Sequence, residues 1–157
     1  VVGQRLSMKM KMPLIDIDLA IEKQYGAPIK EIFQTRGEEA FRNMEIDQIE
    51  RVSGLSGRTI SCGGGIVLNR RAVDHLRKSC IVVWLWCGAE AILRRISHDY
   101  TRPLLECDDR KSKIDTMLQV RNPLYADASD IFIYTDDKAP EEIAQRIERE
   151  SSQYLRN

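Results

Sequence analysis

Four short apolar runs punctuate this chain: Pro13-Leu14-Ile15-Asp16, Arg58-Thr59-Ile60-Ser61-Cys62, residues 81–86, and Asp130-Ile131-Phe132-Ile133-Tyr134. Each is rich in β-branched or aromatic residues and bounded by turn formers, as a buried strand is. Between them lie stretches with apolar residues at helical spacing. Residues 28–33 open on a proline suited to a first helical position, and 38–52 place Phe41, Met44, Ile49 and Val52 near one face. Residues 70–78, 89–96, 111–124 and 140–155 complete the set. Strands alternating with helices in this way predict an α/β fold: a mainly parallel sheet covered by helices on both faces, in three layers.

The 157 residues are sized for one domain, 1–157, which buries roughly 70% of its unfolded surface. Lys+Arg and Asp+Glu are 24 each, so the net charge is +0. A nucleic-acid partner held by phosphate attraction would require a basic excess, and none is expected. The longest strongly apolar run, 81–87, is far short of the about 20 residues that span a bilayer, so no membrane partner is expected. No secretory signal is visible at the amino end. Cys62, Cys80, Cys87 and Cys107 form no C-x-x-C pair and read as reduced thiols of a cytoplasmic protein. His75 and His98 stand far apart without an obvious carboxylate partner and read as surface residues.

Folds of this class bind ligands beyond the carboxyl ends of their strands. Asp16 and Asp18 alternate at the end of the first run. In a strict strand both would share a face, where a carboxylate can hold a metal through water or accept a proton from a hydroxyl. Asp18 could equally cap a following helix. Gly63-Gly64-Gly65 follows the second run. Three absent side chains allow positive φ and let a ligand reach the main chain, although a plain tight turn reads the same. Arg42 and Arg121 each offer a fork suited to a carboxylate, or are solvated surface residues unless the fold brings them together. The polar, aperiodic residues 97–109 hold Arg102 and read as a lid or as a plain surface excursion.

Taken in order, Asp16-Ile17-Asp18, Ile32-Phe33 with Gly37-Glu38-Glu39-Ala40-Phe41-Arg42, Gly63-Gly64-Gly65, Thr101-Arg102-Pro103-Leu104-Leu105 and Arg121-Asn122-Pro123-Leu124-Tyr125 resemble the shikimate kinases, small kinases of the P-loop nucleoside-monophosphate-kinase type. Each motif is weak alone; five in the family's order and spacing are specific. The resemblance implies ATP-dependent phosphorylation of the shikimate 3-hydroxyl, in the pathway to chorismate and the aromatic amino acids. It implies ATP and Mg2+ as cofactors and a monomer in the cytoplasm. Asp18 resembles the carboxylate that contacts and helps activate the attacking hydroxyl. Asp16 resembles the carboxylate near the magnesium water shell. Arg42 and Arg121 resemble the pair that grips the substrate carboxylate, and Gly63, Gly64 and Gly65 the turn beside the substrate. Arg102 resembles the arginine of a lid at 97–111 that reaches the ATP phosphates. Arg95 and the Asp137-Lys138-Ala139-Pro140 loop, Lys138 included, resemble the parts that flank adenine.

The family begins with a strand, central in its sheet, and a Gly-x-x-x-x-Gly-Lys-Ser/Thr loop. The 157 residues contain no such sequence, and Val2-Gly3-Gln4-Arg5-Leu6 matches the helix that follows the loop. The expectation is a sequence recorded from partway in, inactive alone, whose second and third strands lack a shared neighbour. Two alternatives stand beside it: a non-catalytic relative that keeps the shikimate pocket, and a related kinase for another carboxylate polyol.

Overall fold

The computed structural model describes residues 1–96 and 109–156. In chain order the elements are α1 (Val2–Met10), β1 (Leu14–Asp16), α2 (Ile17–Tyr25), α3 (Ile29–Val52), β2 (Thr59–Ser61), a 3-10 turn (Ile66–Leu68), α4 (Arg70–Ser79), β3 (Val83–Trp86), α5 (Ala89–Ile96), α6 (Arg110–Ala128), β4 (Ile131–Tyr134) and α7 (Pro140–Tyr154). The alternation read from the sequence is the alternation observed, and the strand pairs are parallel. β1 pairs with β2, Ile15 opposite Ile60, and β3 pairs with β4, Trp84 opposite Phe132.

Three apolar clusters hold the helices on these strands. The largest joins Ile17 and Ile21 of α2, Ile32, Phe41, Met44 and Ile49 of α3, and Ala72 and Leu76 of α4, with Ile15 and Ile60 of the first strand pair against it. The second sets Ile131 and Ile133 of β4 against Ile143 and Ile147 of α7, with Val2 and Leu6 of α1 alongside. The third joins Ile96 of α5 to Ile114 of α6. A buried Leu or Ile side chain contributes about 1.5–3 kcal/mol, so these clusters, rather than the short strand ladders, carry most of the stability. Surface pairs Arg5–Glu141 at 2.8 Å and Lys9–Glu148 at 3.2 Å run between α1 and α7 and add little.

Several sequence-based expectations need correction. Residues 17–25 form α2, a helix absent from the amphipathic stretches: its buried stripe rests mainly on Ile17 and Ile21, too short a signal to stand out. Residues 28–33 and 38–52 belong to α3, one helix broken at Gly37, whose φ of 81° admits glycine far more readily than other residues. Residues 110–111 of the expected lid open α6, capped by the Asp109 side chain, which accepts from Ser112 N at 3.0 Å. Residues 97–108, with Arg102, His98 and Cys107 among them, lie outside the described residues. His75 does meet a carboxylate, Glu50 Oε1 at 3.3 Å. Cys62, Cys80 and Cys87 are free thiols. No described helix is long and apolar enough to cross a membrane.

β2 and β3 do not pair with one another. They border a cavity of about 470 Å3, lined by Ile60, Ser61 and Cys62 on one side and Val83, Trp84 and Leu85 on the other, with Gly63, Gly64 and Tyr125 among its further lining residues.

Candidate active site

The rim is built from the first strand pair. β1 ends at Asp16, whose carboxylate accepts from Leu19 N at 3.3 Å and caps α2. The capping residue is therefore Asp16, and Asp18 lies within the first turn of the helix. Strand alternation does not place these two carboxylates on one face; the turn of the helix separates them. Asp18 instead approaches the glycine turn after β2, where a Cβ on Gly63 would lie 3.4 Å from Asp18 Oδ1 and 3.7 Å from Glu45 Oε1.

The next glycines receive the other groups. A Cβ on Gly64 would lie 2.9 Å from the Tyr125 hydroxyl, and one on Gly65 would overlap the Arg42 guanidinium. None of the three has a positive φ. Glycine fits this turn because each residue is closely approached by a functional side chain, and not because the backbone needs left-handed freedom. Tyr125 Oη donates to Gly64 O at 2.5 Å. Arg121, one helical turn earlier on α6, lies against that hydroxyl. Asp18, Arg42 and Arg121 thus converge on one turn from three helices.

Arg42 is held from its own helix. Its Nη1 donates to Glu45 Oε2 at 2.7 Å and its Nη2 to Glu38 Oε1 at 2.9 Å, the i+3 and i−4 positions of α3. Glu45 is 1% exposed. Its burial pushes the carboxyl above the usual range; Arg42 opposes that rise, and neighbouring Asp18 and Glu38 add to it. Burial works against the Arg42 charge as well, but the two glutamates outweigh it and hold the guanidinium firmly protonated. A fork so fixed, with N–H groups left over beyond these two bonds, is preorganised for a further carboxylate.

The second strand pair ends differently. Arg95 of α5 donates through Nη2 to Thr135 O and, at 3.2 Å, to Asp136 O, while its Nη1 reaches Thr135 Oγ1 at 3.3 Å and Cys87 Sγ at 3.2 Å. Asp136 accepts from Gly88 N at 2.8 Å, and Thr135 Oγ1 donates to Trp86 O at 2.8 Å. These bonds tie the loops after β3 and β4 together and place Arg95 next to the turn that leads into Lys138. On one shared face of this pair, Trp84, Trp86, Phe132 and Tyr134 form an aromatic ladder with centroid spacings of 5.2–6.4 Å.

A family model described as shikimate kinase matches residues 1–151. The chain belongs to the shikimate kinase family. It is 41% identical to the shikimate kinase of Caldicellulosiruptor bescii over 146 residues, 93% of this chain and 84% of that one. It is 39% identical to that of Caldicellulosiruptor saccharolyticus over the same shares. Among solved structures, the shikimate kinase of Acinetobacter baumannii in complex with shikimate matches with a TM-score of 0.93 and 29% identity, covering 98% of this chain and 86% of that one.

Two residues at this turn escaped the sequence reading. Glu45 was hidden because a glutamate on a helix is usually solvated; its one signal is the i+3 spacing from Arg42. Tyr125 closes the quoted Arg121 motif and stands four residues beyond that arginine, so the helix puts both on one face.

Proposed function

We propose that shikimate binds where the glycine turn meets Asp18, Arg42 and Arg121. The substrate carboxylate rests on the two guanidinium forks, and its hydroxyls face Asp18. The observation that carries this reading is the run Gly63–Gly65, each residue faced in turn by Asp18, by Tyr125 with Arg121 beside it, and by Arg42. One end of the pocket is cationic and the other carboxylate-lined, which suits a small carboxylate polyol.

In the reaction the substrate 3-hydroxyl oxygen forms a bond to the γ-phosphorus of ATP, and the bond from that phosphorus to the bridging oxygen breaks. ADP leaves, and the hydroxyl proton passes to Asp18. Arg102 neutralises charge on the transferring phosphoryl group. Arg95, fixed by the Thr135 and Asp136 carbonyls, and the loop holding Lys138 flank the adenine. A magnesium ion bound with the nucleotide would supply charge neutralisation for the phosphates. Asp16 would contact that ion through water: its Oδ1 accepts from Leu19 N at 3.3 Å, and Oδ2 remains to accept from a metal-bound water. On the same reading the protein acts as a cytoplasmic monomer.

Titration calorimetry with shikimate tests the pocket: Arg42→Ala and Arg121→Ala should each weaken binding at least about 30-fold, from the charge-assisted bonds lost. A coupled assay with ATP and magnesium tests the transfer. The 157 residues contain no Gly-x-x-x-x-Gly-Lys-Ser/Thr sequence. In that assay, run on a chain that carries such a loop, Asp18→Asn should cut turnover at least about 100-fold. Turnover unaffected by Asp18→Asn, or shikimate binding indifferent to both arginines, would refute the scheme.

A further inference from the structure

We propose that Tyr125 is a positioning residue for the substrate pocket: its hydroxyl clamps the glycine turn to the helix bearing Arg121, so that turn and arginine meet the substrate as one piece. This rests on the shikimate reading above and adds to it a residue with no assigned role. Oη donates to Gly64 O at 2.5 Å, a bond from α6 that fixes the middle carbonyl of the turn, while those of Gly63 and Gly65 accept from Ile66 N at 3.1 Å and Leu68 N at 3.0 Å. With Gly64 O held too, all three carbonyls of the turn have a donor, and the turn keeps its approach to Asp18 and Arg42. The ring itself is fixed from behind by Trp84 of β3, stacked at 5.6 Å with 26° between planes, and Trp84 in turn sits edge-on to Phe132 at 5.2 Å. Burial pushes the phenol above its ordinary range, with Arg121 opposing, so the hydroxyl is a donor throughout the working pH range. Gly64 shows how tight the clamp is: its φ is not left-handed, so alanine is allowed by the backbone, yet a Cβ would lie 2.9 Å from Oη.

A merely structural tyrosine would lower stability and affinity together; a positioning one separates them. Tyr125→Phe keeps the stacked ring and removes the hydroxyl alone. By calorimetry it should bind shikimate roughly 3- to 10-fold more weakly, the loss of one hydrogen bond, while the melting temperature falls by less than about 4 °C. Gly64→Ala should weaken binding strongly in the wild-type background and much less in Tyr125→Phe, because the oxygen that the new methyl meets is gone. The two effects should therefore be non-additive. Unchanged affinity in Tyr125→Phe, or losses that add and track a large fall in melting temperature, would overturn the proposal. Arg42→Ala and Arg121→Ala serve as controls. If they abolish binding while Tyr125→Phe does nothing, only the clamp is wrong; if they too change nothing, the shikimate reading itself has failed.

Discussion

Beyond β2 the main chain runs bare through Gly63–Gly65, and side chains from α2, α3 and α6 come to it. Beyond β4 the main chain is consumed: the carbonyls of Thr135 and Asp136 are taken by Arg95, and Asp136 is spent on the amide of Gly88. Each region contains a well-fixed arginine, but the fixing differs. Arg42 is braced by two carboxylates from its own helix and presents its remaining donors to the turn, whereas Arg95 spends its donors stitching two loops. A guanidinium becomes a grip or a seam according to whether its partners lie behind it or all around it.

Exchanging the two arginines for alanine should give the largest contrast. Arg42→Ala leaves Glu45 buried without its counter-charge, and breaking a buried pair costs about 3–5 kcal/mol; shikimate binding should be lost with it. Arg95→Ala should lower the melting temperature yet leave shikimate affinity within about twofold, since the bonds lost are worth about 0.5–1.5 kcal/mol each and remote from the turn. Calorimetry on folded Arg95→Ala that showed no shikimate binding would erase the distinction.

Glycine replacements sharpen it further. Gly65→Ala drives a methyl into the Arg42 guanidinium and should weaken shikimate binding at least tenfold, about 1.4 kcal/mol. Gly88→Ala places a Cβ 2.9 Å from Asp136 Oδ2 and should cost stability, about 1–3 kcal/mol, with substrate affinity preserved. Thr135→Val is milder. Thr135 is 2% exposed, and its hydroxyl donates to Trp86 O, so chemical denaturation should register a loss of about 1–3 kcal/mol with binding intact.

The smallest effect at neutral pH concerns Cys62, at the edge of the turn, which burial pushes from about 9 up to about 12. Its thiol should resist alkylation at pH 8 while the unfolded chain reacts readily. Because the folded value is the higher one, its contribution to stability is intact below pH 9 and is lost as the pH climbs from about 9 toward about 12. Rapid labelling of Cys62 in the native protein at pH 8 would contradict that burial.

The sequence made the alternation legible because buried strands and amphipathic helices differ in period. Convergence on the glycine turn was legible only through the order of motifs, since nothing local says that Arg42 and Arg121, so far apart in the chain, approach one place. Strand alternation does not hold for Asp16 and Asp18 because the strand stops at Asp16, two residues short of Asp18, and a helix begins between them. Glu45 and Tyr125 went unseen for a different reason: burial of a charged or hydroxyl-bearing residue is a tertiary property, and helical spacing marks a neighbour without saying which face is covered.

Ladder bonds bind β1 to β2 and β3 to β4, but β2 and β3 share none. Side-chain packing and the flanking helices therefore transmit order across the cavity, and packing alone couples two bodies less tightly than a shared ladder. Amide exchange should then fall into two blocks. Ile15 and Ile60 should open together at one free energy, and Ile131 to Ile133 with the buried face of α7 at another. Whatever fills or bridges the seam between them would merge the blocks, turning a molecule that loosens in halves into one that opens as a whole.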